Sequence, residues 1–148
     1  MKRVSLIFLL WIPSISLAQK ITYKGLPSLL WPKLYNITYQ KKGEIDKPIF
    51  TKELLALSNK QITLPGYMVP FENGMKGTHF ILSSLPLNAC FFCGVGGPET
   101  VVEIFLKNAV TYTDKPVEIK GKLILNDSNP DKMVYILEAA EFLGAVEF

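Results

Sequence analysis

The stretch KPVEIKGKLIL, Lys115 to Leu125, alternates apolar and polar residues with a period of two. Val117, Ile119, Gly121, Leu123 and Leu125 fall on one face, and Glu118, Lys120 and Lys122 fall on the other. Successive side chains of a strand point to opposite faces, so the pattern predicts a strand with one face in a core and one in water. QITLPGYMVPF repeats the signal, with Ile62, Leu64, Gly66 and Met68 on one face and Thr63, Pro65, Tyr67 and Val69 on the other. Pro65 and Pro70 cannot donate to a ladder and are expected at an edge or a bulge, while Gly66 in mid-strand suggests the sharp bend of a barrel corner. THFILSS supplies a further strand, TVVEIFLK another on the strength of its β-branched residues, and KMVYILEAAEFL a last one with Met133, Tyr135 and Leu137 on one side. ENGMKG and NDSNPD lie between them and are rich in residues that tolerate turns.

Two short helical segments precede or flank these strands. Pro32 after Trp31 suits a first helical turn, and Leu30, Trp31, Leu34 and Tyr35 can cap a core. In IFTKELLAL, Thr51 is placed to cap a helix and Glu53 to sit in its first turn. Five short strands with one or two short helices predict a mainly β fold. The expected form is a small OB-like five-stranded antiparallel barrel, with a small open α+β sheet as the alternative.

The N-terminus bounds compartment and charge. Lys2 and Arg3 precede an apolar run from Leu6 to Leu17, and Ser16 and Ala18 provide small residues for cleavage. This is the pattern of a secretory signal peptide, too short for the roughly 20 residues that cross a bilayer. The expected organisation is a signal peptide over 1–18, an N-terminal arm over 19–42 and a barrel domain over 43–148. The expected location is periplasmic or secreted, with no stable membrane anchor. The chain has 16 Lys+Arg against 13 Asp+Glu, and losing Lys2 and Arg3 leaves 14 against 13. A net charge of +1 in an exported chain argues against a nucleic-acid partner. One histidine and no nucleophile elbow leave no Ser-His-Asp arrangement to propose, and GVGGPE lacks the Gly-Lys-Ser/Thr ending of a phosphate loop.

Chemistry concentrates in NACFFCGVGGPET, which holds both cysteines. Three roles compete for Cys90 and Cys93. Thiolates two residues apart can share one tetrahedral ion such as zinc or another soft divalent metal, with His79 and Glu99 as candidates for the missing ligands. A C-x-x-C pair can exchange disulfides, although no thioredoxin-like order surrounds this one. An oxidising compartment can also simply join the two sulfurs, shaping the loop more than stabilising the fold. Each role places both sulfurs at an accessible rim. Phe91 and Phe92 are candidate contact residues, either exposed for a partner or plugging one end of the barrel. Tyr67 is a lesser candidate on the first strand.

LPGYMVPFE, together with IFTKELLALSNK before it, NACFFC after it and the late VEIKGKL, resembles a bacterial family of exported OB-fold-like proteins of unknown function. The resemblance runs from about Trp31 to Leu143. Many members carry a histidine between the cysteines and prolines after them, whereas this chain has Phe91-Phe92 and a glycine-rich stretch. Some members are encoded near metal-responsive permease genes. The resemblance therefore implies an exported, non-enzymatic binding or accessory module. Its implied partner is an envelope protein or a metal-transport component.

Overall fold

A computed structural model describes residues 28–43, 45–70 and 75–146. The expected signal peptide over 1–18 and residues 19–27 of the expected arm lie outside the described residues. In chain order the elements are α1 (Trp31–Leu34), β1 (Ile37–Lys42), β2 (Ile45–Phe50), α2 (Lys52–Leu57), β3 (Gln61–Pro70), β4 (Lys76–Ser83), β5 (Val101–Thr111), β6 (Val117–Leu125) and β7 (Tyr135–Ala145).

Each segment that alternates in the sequence becomes a barrel strand. The last five strands close in the order β3-β4-β5-β7-β6, with β6 returning to β3. This is an OB-like barrel, with one departure from the all-antiparallel expectation: β5 and β7 run parallel. Parity requires it. An odd number of strands cannot alternate direction all the way around a closed ring, so at least one neighbouring pair must run the same way. The period-two faces sort as expected. Ile62, Leu64, Met68, Val117, Ile119 and Leu123 join the core, while Glu118, Lys120 and Lys122 stay outside it.

Gly66 sits where β3 changes partner. Gln61–Gly66 pair with β6, and Tyr67–Pro70 pair with β4. A Cβ at Gly66 would lie 2.5 Å from Leu82 Cγ and 2.9 Å from the Ser83 carbonyl oxygen. Only a residue without a side chain lets the two strands approach this closely at the corner. Pro65 lies within the β3–β6 ladder opposite Glu118, not at the edge expected of a residue with no N–H. The handover at Gly66 ends that ladder one residue later. β7 carries an extra residue against β6, since Lys120 and Lys122 face Glu141 and Glu138. Ala139 absorbs this bulge with a φ of +48°, a left-handed conformation uncommon for a residue with a Cβ.

Residues ahead of the barrel close one of its ends. Trp31 and Leu34 of α1 are buried in the core. The Trp31 indole N–H donates to the Pro65 carbonyl at 2.7 Å, and the Tyr135 hydroxyl donates to the Leu34 carbonyl at 2.7 Å. Tyr135→Phe is expected to cost about 1 kcal/mol by removing one buried hydrogen bond, a shift that urea denaturation resolves. The Thr51 hydroxyl accepts from the Leu54 N–H at 3.3 Å and starts α2, which buries Leu54. β1 and β2 form a separate antiparallel hairpin, with Ile37 and Phe50 packed on the core. The turn of this hairpin contains the 42/43 junction taken from the sequence as the end of the arm.

Candidate functional site

The cysteine loop, Ser84 to Thr100, joins β4 to β5. Its two ends are tied together: the Ser84 N–H and hydroxyl both donate to the Thr100 carbonyl, at 2.9 and 3.1 Å. Three single 3-10 turns, Leu87–Ala89, Phe91–Cys93 and Pro98–Thr100, fold the loop between these ends. Gly94 ends the second turn with a φ of +76°. The loop does not hang from the end of the barrel. It folds back over the outer face of β3, β4 and β5, where Val69, Ile81 and Val101 point away from the main core. Cys90 joins these three in a second apolar cluster, with Phe91 and Met133 packed against it.

That placement corrects the expected rim. Cys90 is 0% exposed and enclosed by aliphatic side chains. Cys93 ends the second turn, and its side chain lies outside the described residues. Phe91 is half-buried and meets Phe92 edge to face, with ring centres 5.3 Å apart. Neither ring joins the main core: Phe91 packs on the outer cluster instead. Phe92 is 52% exposed, and Leu87 and Val95 on the same loop are 47% and 56% exposed. Tyr67 is half-buried on β3, opposite Ser83.

His79 and Glu99 take separate partners. His79 Nε2 lies 2.8 Å from Glu103 Oε1, with the carboxylate accepting, and its ring stacks on Phe105 at 4.4 Å. Glu103 is buried, and its second oxygen accepts from the Met133 N–H at 3.1 Å. Lys132 lies over the Phe105 ring, 5.1 Å from its centre. Glu103 thus joins β4, β5 and the loop before β7 on the outer face. The sequence reading missed this residue, although a lone carboxylate inside VVEIFL was a signal for it. Among the described residues, no three His, Cys, Asp or Glu side chains gather as a metal site requires.

Glu99 instead faces the tyrosines around α1. Burial, and then the Glu99 charge, push Tyr39 up to about 12. Burial raises Tyr35 as well, a hydrogen bond with Ser84 opposes this, and Glu99 adds to the rise. Tyr135 is raised by burial and then by Tyr39 and Glu99. In the unfolded chain these phenols ionise near pH 10. Folding therefore holds them neutral, so the stability they contribute is complete below about pH 10 and is lost as pH rises through 12. Far-UV circular dichroism is expected to stay level to about pH 10 and then fall. Glu99→Gln is expected to move that fall to higher pH, because removing the carboxylate charge lowers the folded phenols toward their unfolded value, so less stability is lost as they ionise.

Compared with protein-family models, with curated proteins and with solved structures, the chain has no significant match. No described helix is long and apolar enough to cross a membrane.

Proposed function

We propose that the chain is an exported, non-enzymatic binding module that docks a protein partner of the cell envelope through the Ser84–Thr100 loop. One observation carries this reading. Within a single loop, Ala89 and Cys90 are fully buried while Leu87, Phe92 and Val95 are held out to solvent. From Leu85 to Thr100 the only charged residue is Glu99. Apolar and aromatic side chains with few charges are the composition of an interface core, and anchored turns lower the ordering cost of binding. The matching partner surface is apolar and poor in charge. Export rests on the signal-peptide pattern and on the family resemblance.

The same loop also supports the zinc reading through its C-x-x-C spacing, with a metal-transport component as the partner. The apolar surroundings of Cys90 favour the contact reading, in which the cysteines shape the loop. A photo-crosslinking residue placed at position 92 in cells is expected to give one discrete adduct, which the same residue at Lys115 does not give. Phe92→Asp is expected to abolish binding of that partner while changing stability by less than about 0.5 kcal/mol, as surface substitutions do. Equal crosslinking at both positions overturns the docking role. Zinc bound stoichiometrically by the reduced protein, and lost in a Cys90→Ser/Cys93→Ser variant, would favour the metal role instead.

A further inference from the structure

Glu99, the one charge of the cysteine loop, stands among aromatic side chains from another part of the fold. Its turn, Pro98–Thr100, packs against α1. Tyr35 at the end of α1 stacks on Trp31 with ring centres 6.1 Å apart and shares a hydrogen bond with Ser84, which also holds the Thr100 carbonyl. Tyr39 lies two residues after Ile37 on β1, and Ile37 packs on the core, so both side chains leave the hairpin on its barrel side. The Glu99 charge acts on Tyr35 and Tyr39 alike. Both tyrosines keep part of their surface in water, 38% for Tyr35 and 39% for Tyr39. Glu99 itself is half-buried, and its carboxylate folds back over Gly97, where a Cβ would collide with both oxygens. Among the described residues this carboxylate makes no hydrogen bond and no ion pair, and Lys33 on α1 leaves it unpaired.

A carboxylate that gives up water without gaining a partner is costly, and a cation that pairs with it recovers the loss. Aromatic rings beside it add to the attraction, because a ring face draws positive charge. We infer that Glu99, Tyr35 and Tyr39 form a site for an arginine side chain of the docked partner. A guanidinium is planar and forked, so one group both takes the two carboxylate oxygens and stacks on a phenol ring, whereas an ammonium acts as a point charge. The inference rests on the docking role of the Ser84–Thr100 loop, on which Val95 stands exposed four residues before Glu99. It adds a selection rule to that role: the segment that covers the apolar loop carries one arginine at its edge.

N-acetylarginine amide titrated into the purified protein at low salt, followed by NMR, tests it without the partner. Saturable shifts are expected at the Gly97 and Glu99 amides and the Tyr35 and Tyr39 rings. The expected Kd is on the order of 10 mM, the scale of one ion pair with one cation–π contact. N-acetylcitrulline amide has the same shape without the charge and is expected to bind about tenfold more weakly. Glu99→Gln is expected to weaken the arginine amide about as much, and Tyr39→Leu about threefold. The inference is overturned by an absence of saturable binding, by citrulline amide binding as tightly, or by undiminished binding in Glu99→Gln. Lys20 and Lys24 lie outside the described residues. Binding seen only in a Lys20→Gln/Lys24→Gln variant would assign the carboxylate to the chain's own lysines and also overturn it. In cells, Glu99→Gln is expected to reduce the discrete adduct at position 92 several-fold. Loss of that adduct in the parent protein refutes the docking role, whereas an adduct that persists while the arginine amide fails to bind refutes the arginine site alone.

Discussion

Trp31→Ala is expected to cost about 3–5 kcal/mol of folding stability, the range for deleting a buried aromatic side chain. The side chain is 1% exposed and lies in the main core, so little of the vacated volume can collapse. Its loss also leaves the Pro65 carbonyl without the indole N–H that donates to it at 2.7 Å. A domain of this size has a total stability of about 5–15 kcal/mol, so the variant approaches the unfolding threshold at 37 °C. Trp31→Phe separates the two contributions. It keeps most of the buried ring and loses only the donor, with an expected cost of about 1–2 kcal/mol. Urea denaturation at constant m-value measures both variants. A Trp31→Ala variant within 1 kcal/mol of the parent would mean that α1 does not close the barrel.

Gly66→Val is expected to be the other large effect, about 3 kcal/mol or more, with Gly66→Ala at about 1–3 kcal/mol. The cause is overpacking rather than backbone strain, since a Cβ at this position would meet Leu82 Cγ at 2.5 Å and Cδ1 at 2.7 Å. Leu82 is fully buried, so it has little room to turn aside. The double variant Gly66→Ala/Leu82→Ala isolates this contact. Leu82→Ala alone is expected to cost about 2–5 kcal/mol, and the double variant less than the sum of the two singles by about 0.5–2 kcal/mol. The Ser83 carbonyl at 2.9 Å remains after Leu82 is trimmed, so the rescue is partial. Strict additivity would show that Leu82 is not what excludes a side chain at the corner.

The legible parts of this molecule share one physical property. A strand with one face in the core writes its pairing into alternate residues, and KPVEIKGKLIL and QITLPGYMVPF both did so. Thr51 was legible because a helix cap depends on the next three residues alone. The β1–β2 hairpin was not, because ITYQKK and IDKPIF have largely exposed faces that leave no clean apolar stripe. The candidate site was legible in composition and not in placement. NACFFC marked the loop, and its Phe92 is 52% exposed. The enclosure of Cys90 depends on Val69, Ile81 and Val101, which come from three different strands. Glu103 gains its role only when register sets it beside His79 and Met133.

The sequence by itself determined the strands, their inward faces, the bend at Gly66 and the cap at Thr51, because each follows from steric and hydrogen-bonding rules acting over a few neighbouring residues. Tertiary structure alone decided the parallel β5–β7 pair, the plugging of the barrel by Trp31 and the folding of the cysteine loop onto the outer face. Those depend on how strands close into a ring and on which apolar surfaces remain to be covered once they have closed, and no local pattern carries that information.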